Sequence, residues 1–190
     1  MKRRIVAFAT LLMLVTSVLG AGSASALSAK LDFHVADAAI GAGTGIPQLG
    51  ARAVADNGDI VSVVGSGTFN LGSEKTTGGG TFVHTTSGGV LVGSGTWTAT
   101  GVDDFTFYGC GGDLPSNFCG GLLTLDVHLV AGGGAAEFDG VLVIDCLIGD
   151  AIPPGAIEGI KLNVSGGPNF DETMFEESGL TLYVSRSKNG

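Results

Sequence analysis

Beyond residue 30 the apolar positions recur mostly with a period of two. Leu31, Phe33 and Val35 alternate with Lys30, Asp32 and His34, the pattern of a strand with one buried and one wet face. The same period links Val61, Val63, Gly65, Gly67 and Phe69. It returns in Leu91, Gly93, Gly95, Trp97 and Ala99, and again in Leu123, Leu125, Val127 and Leu129. Shorter runs predict strands at 52–55, 81–85, 104–108, 138–148 and 157–164, and on Leu180, Leu182 and Val184. Residues 38–50 and 165–178 read as loops, and no long amphipathic helix is predicted.

The turns fit this reading. Asp56-Asn57-Gly58-Asp59 contains Asn-Gly, which predicts a type I′ hairpin turn. Thr86-Ser87-Gly88-Gly89 predicts a second hairpin. Between them runs a phrase repeated three times: Gly65-Ser66-Gly67-Thr68-Phe69, Gly78-Gly79-Gly80-Thr81-Phe82 and Gly93-Ser94-Gly95-Thr96-Trp97. Its copies start 13 and 15 residues apart, the length of a strand plus a turn. In the first and third copies the glycines share a face with the aromatic ring. A ring from a neighbouring strand can then lie over a position without Cβ, and the strand can coil sharply. The expected fold is all-β, a single antiparallel barrel of about 8–10 strands in a meander. The alternative is a two-sheet β-sandwich.

The N-terminus changes the picture of where the chain goes. Lys2, Arg3 and Arg4 precede an apolar run from Ile5 to Leu19, and Ala24-Ser25-Ala26 follows. This is the pattern of a secretory signal peptide over residues 1–26, cleaved between Ala26 and Leu27. Residues 27–190 are then one exported domain, with no later stretch long and apolar enough to span a membrane. The signal takes three of the nine basic residues and none of the 18 acidic ones, so the remainder carries six against 18, a formal charge of −12. Such a surface repels nucleic acid and anionic lipid. Glycine is the compositional outlier, at 34 of 190 residues, and it is mixed with apolar alternation, unlike a disordered tract.

Candidate chemistry is sparse. Of three cysteines, Cys110 and Cys119 bracket a glycine-rich loop and are expected to form a disulfide. Cys146 alternates in phase with Leu142 and Ile144 and is expected to be a buried free thiol. His84 shares a face with Phe82, and His128 shares one with Asp126; if those faces met, the three polar groups could form a small-molecule or acid–base site. With Phe69, Phe82 and Trp97 they make the candidate ligand-binding set. Asp171, Glu172, Glu176 and Glu177 are candidate Ca²⁺ ligands in the long acidic loop, without the spacing of a calcium-binding loop. Gly41-Ala42-Gly43-Thr44-Gly45 has the glycines of a phosphate-binding turn but no helical pattern after it. Asp103 and Asp104 are adjacent, so a strand points them to opposite faces. No cofactor is implied.

The run from Gly65 to Gly101 resembles the glycine-rich strands of dirigent and allene-oxide-cyclase barrels. The likeness spans about 35 residues and implies a small exported or organellar β-barrel. The threonine before each aromatic departs from that pattern, and no catalytic residue carries over. The expected function is a non-catalytic secreted barrel that binds a small apolar ligand or an extracellular partner. One alternative is an isomerase- or cyclase-like barrel enzyme, and another is an adhesive envelope protein assisted by calcium.

Overall fold

The computed structural model describes residues 30–70, 73, 75–174 and 179–186. They form ten strands: β1 (Lys30–Val35), β2 (Ala51–Ala55), β3 (Ile60–Asn70), β4 (Thr76–Thr85), β5 (Leu91–Cys110), β6 (Phe118–Ala131), β7 (Ala136–Cys146), β8 (Gly159–Val164), β9 (Asn169–Thr173) and β10 (Thr181–Ser185). One short helix, α1 (Ala38–Thr44), follows β1. All strand pairings are antiparallel and belong to one sheet. The fold is all-β. It is one sheet closed on itself, not two facing sheets, and it is less regular than the expected barrel.

The irregularity has a simple form. Strands β3, β4, β5 and β6 make a continuous meander. The free edge of β3 is shared end to end. Residues Ile60 to Val63 pair with β2, and Gly65 to Asn70 pair with β1. The free edge of β6 is shared in the same way: Phe118 and Cys119 pair with β10, and Gly121 to Ala131 pair with β7. The ring therefore closes twice. At one end β10 and β1 complete six strands, and at the other β7, β8, β9 and β2 complete eight.

Glycine makes the closure sterically feasible. A Cβ on Gly65 would sit 2.5 Å from both the Gly79 carbonyl oxygen and Trp97 Cζ2. One on Gly67 would sit 2.6 Å from Phe33 Cζ. Rings do lie over glycines, as the repeated phrase predicts. β5 runs as one 20-residue strand where two were expected, at 90–100 and 104–108. Three register shifts against β6 bend it without ending it. At its far end the disulfide Cys110–Cys119 ties β5 to β6, and Cys146 is buried and free, both as expected.

Three local expectations are corrected. The Asp56–Asp59 turn is not type I′, because Gly58 has positive φ (83°) and Asn57 does not. The Gly58 N–H donates to the Ala55 carbonyl and the Ala55 N–H to Asp59, a three-residue loop with its glycine in the left-handed position. The region 38–50 holds helix α1, not only loop. Asp37 caps it by accepting from the Ala39 and Ile40 N–H groups, and Gly45 ends it at φ 72°. Two glycines between those caps, Gly41 and Gly43, hide the helix from a propensity reading. The region 165–178 contains β9, which pairs with both β2 and β8 and whose Phe170 is 2% exposed.

Candidate functional site

The two ends of the ring are filled differently. At the six-strand end Phe33, Phe69, Trp97, Phe105 and Tyr183 pack ring against ring. The Phe69–Phe105 centroids lie 4.8 Å apart and those of Phe33–Trp97 6.3 Å. Buried polar tips are satisfied there: Tyr183 Oη donates to the Ile144 carbonyl at 2.8 Å, and Trp97 Nε1 to that of Val64 at 3.2 Å.

At the eight-strand end a cavity of about 230 Å³ opens inside the ring. Its walls come from seven of the eight strands, with Val61, Phe82, Leu129, Leu162 and Phe170 among the apolar lining. Val92 and Phe138 stand at its rim, 54% and 38% exposed. The hollow has an identifiable origin. Gly93 lines it, and a Cβ built there would meet no heavy atom within 4 Å. Ala131 and Ala136 line it too and add little volume.

His84 is the one residue of the lining with a polar side chain. It stands directly opposite Gly93 in the β4–β5 register and opposite Val61 in β3–β4. Its Nε2 lies 3.0 Å from Asp59 Oδ2, on the β2–β3 turn, and its ring meets the Phe170 ring edge-on at 5.2 Å. Donation of the Nε2 proton to Asp59 leaves Nδ1 of the neutral ring as an acceptor. Among the described residues nothing else hydrogen-bonds this imidazole.

The sequence candidates are thus divided. Phe82 and His84 line the cavity. Phe69 and Trp97 lie in the packed six-strand end, 1% and 3% exposed, and line no part of it. Asp126 and His128 point outward, since Leu125, Val127 and Leu129 between and beside them are buried. His84 and His128 therefore lie on opposite faces of the wall and do not converge. His128 instead holds Asp139 (3.0 Å) and Glu137 (3.5 Å) across β6–β7, and the hydrogen bond to Asp139 pushes its imidazole above the usual histidine range. Asp171 and Glu172 are exposed on β9; Glu176 and Glu177, like Ala26 and Leu27, lie outside the described residues. Among the described residues no three acidic, histidine or cysteine side chains gather as a metal site. Two contributors lacked a sequence signal, Asp59 and Gly93. The hairpin register is what would have linked Asp59 to His84.

A second hollow, an open groove of about 580 Å³, lies where the two closures part, between α1, the disulfide loop and β10. Cys146, Glu158 and Thr181 line its floor. Burial pushes the Cys146 thiol far up, which removes it as a nucleophile. Glu158 accepts from the Leu147 N–H (2.6 Å) and the Thr181 N–H (3.1 Å). The single hydroxyl proton of Thr181 has two neighbours, the Asp145 carbonyl at 2.7 Å and Glu158 Oε1 at 2.8 Å. Both are acceptors, so they share that one proton. The hydroxyl and the two N–H groups favour the Glu158 carboxylate, but burial outweighs them and raises the carboxyl above its usual range.

No family model, curated protein or solved structure matches this chain. The likeness of its glycine strands to dirigent and allene-oxide-cyclase barrels accordingly carries no functional argument. Among the described residues no helix is long and apolar enough to cross a membrane.

Proposed function

We propose that this chain is an exported binding protein that holds a small apolar molecule in the mouth of its eight-strand end. The observation that carries the reading is the apolar cavity opposite His84, empty of side chain because position 93 is glycine. A concave, mostly apolar site with few polar groups is the usual form of a small-molecule pocket. Export rests on the pattern of residues 1–26.

The test is to fill the hollow. Leucine at position 93 has open space to enter, so Gly93→Leu should keep the fold and its melting temperature. It should also abolish the methyl-resonance shifts that ethylbenzene induces at Leu129 and Leu162 in the unaltered chain. Unchanged ethylbenzene binding by a folded Gly93→Leu protein would refute the site.

One observation favours a second reading, the barrel enzyme. A histidine oriented by a carboxylate and facing an apolar cavity has the arrangement of a general base. The cavity lining supplies no second polar side chain to stabilise charge as it develops, so binding is the better-supported function.

A further inference from the structure

We propose that the molecule held in this cavity carries one hydroxyl group, which donates its proton to Nδ1 of His84. The inference rests on the mouth of the eight-strand end being a binding site and adds the chemical class of what enters it: a small apolar alcohol.

The argument starts from what the cavity would do to each kind of ligand. A purely hydrocarbon occupant packed against His84 would offer its unpartnered ring nitrogen no donor, which is unfavourable once water is displaced. A carboxylate would have to bind beside the Asp59–His84 pair. Even with the imidazole protonated, two negative charges would then flank one positive charge in an apolar hollow, and burying that imbalance is costly. An ammonium group would lose its water against Val61, Leu129 and Leu162 with only one acceptor in return. A neutral hydroxyl needs a single acceptor and brings no charge, and the lining offers one such nitrogen. Asp59 fixes which nitrogen that is: its carboxylate oxygen, 3.0 Å from Nε2, accepts, so the proton of the neutral ring belongs on Nε2.

Size narrows the class further. A protein cavity of about 150 Å³ accommodates benzene. The 230 Å³ here therefore admits one six-membered ring with a short substituent. The exposed rim at Val92 and Phe138 gives such a molecule a way in.

Benzyl alcohol and ethylbenzene differ by a hydroxyl in place of a methyl at nearly constant shape. Their affinities for the full chain and for His84→Phe, read from the methyl resonances of Leu129, Leu162 and Val164, form a closed cycle. The cycle removes the difference in their transfer from water. We expect His84→Phe to weaken benzyl alcohol about tenfold relative to ethylbenzene, the size of one lost hydrogen bond. In the unaltered chain benzyl alcohol, and not ethylbenzene, should shift the ¹⁵N resonance of His84 Nδ1, a readout that needs no variant. If both probes bind but the ratio is unchanged and Nδ1 is silent, the hydroxyl assignment is overturned while the binding site stands. If neither probe moves the lining methyls at millimolar concentration, the site itself falls and the assignment with it.

Discussion

Gly65 and Gly93 open two copies of the same five-residue phrase, and they serve opposite ends of the molecule in opposite ways. Gly65 lies under the Trp97 ring and against the Gly79 carbonyl, with no room for a methyl group. Gly93 faces open space inside the ring. The difference follows from circumference. The interior of a closed sheet widens with the number of strands, and eight give a width that side chains can just fill or that can hold one small ligand. Six strands enclose less, and five aromatic residues fill that end. At the wider end Phe82, Leu129, Leu162 and Phe170 line a hollow to which position 93 adds no side chain. One motif thus yields a close contact where the ring is narrow and a vacancy where it is wide.

The largest expected effect contrasts one phenylalanine from each end. Phe69 is 1% exposed and touches the rings of Phe33, Phe105 and Tyr183. Phe69→Ala should cost about 4 kcal/mol, since the surrounding rings cannot collapse into the space. Phe82 is 8% exposed and has the cavity on one side, so Phe82→Ala should cost about half as much. Urea unfolding of the two variants checks this, and equal losses would break the contrast between a packed end and a hollow one.

The glycines come next. Gly65→Ala forces a methyl to within 2.5 Å of a carbonyl oxygen and of the Trp97 ring. Backbone and indole must both shift, at a cost of about 2 kcal/mol. Gly93→Ala meets nothing and restricts the unfolded chain, so its effect should be about zero or a gain of up to ~0.5 kcal/mol. Thermal melts of the pair decide the matter. A loss at Gly93 as large as at Gly65 would mean that position 93 is glycine for backbone reasons, not because the cavity needs the space.

The strand meander and the disulfide were legible because they depend on local patterns: alternation in β6, turn residues after β2 and β4, and two cysteines across a short loop. Ring-over-glycine packing was legible for the same reason, since the repeat places glycines and rings on one face. The double closure was not. It depends on how β3 divides its edge between β1 and β2, and on how β6 divides its own between β10 and β7. These are contacts between segments far apart in sequence, and no period reports them. Two of the six candidate ligand-binding residues stand on the outside of the ring for a related reason. Asp126 and His128 share a face, as their spacing requires, but that face is the outer one. Parity along a strand says which residues go together and not which side is inside. Phe82 and His84 share the inner face, and the apolar Phe82 marks it as such.

The smallest effect expected is a slope, and it concerns the fork between the two ends. Glu158 there holds the N–H groups of Leu147, after β7, and of Thr181, which opens β10, so it joins the eight-strand branch to the six-strand branch. Burial raises its carboxyl above the usual range in the folded chain, while the unfolded chain keeps the ordinary value near about 4.3. Below that value both states are protonated, and the contribution of the uncharged buried carboxyl is present in full. As pH rises from the ordinary value towards the raised one, the folded state still holds a proton that the unfolded state has released. Stability must then fall with pH across that window and level off above it. In Glu158→Gln the group no longer titrates, and the amide can still donate to Thr181 Oγ1. The variant should therefore lose some stability from the mismatch with the Thr181 N–H, but its urea midpoint should vary less with pH over the same window. If the slope survives in Glu158→Gln, the proton lies elsewhere, with Asp145 the next candidate, since burial also raises that carboxyl. The two branches would then be joined by an ionised carboxylate that accepts from both N–H groups and from the Thr181 hydroxyl.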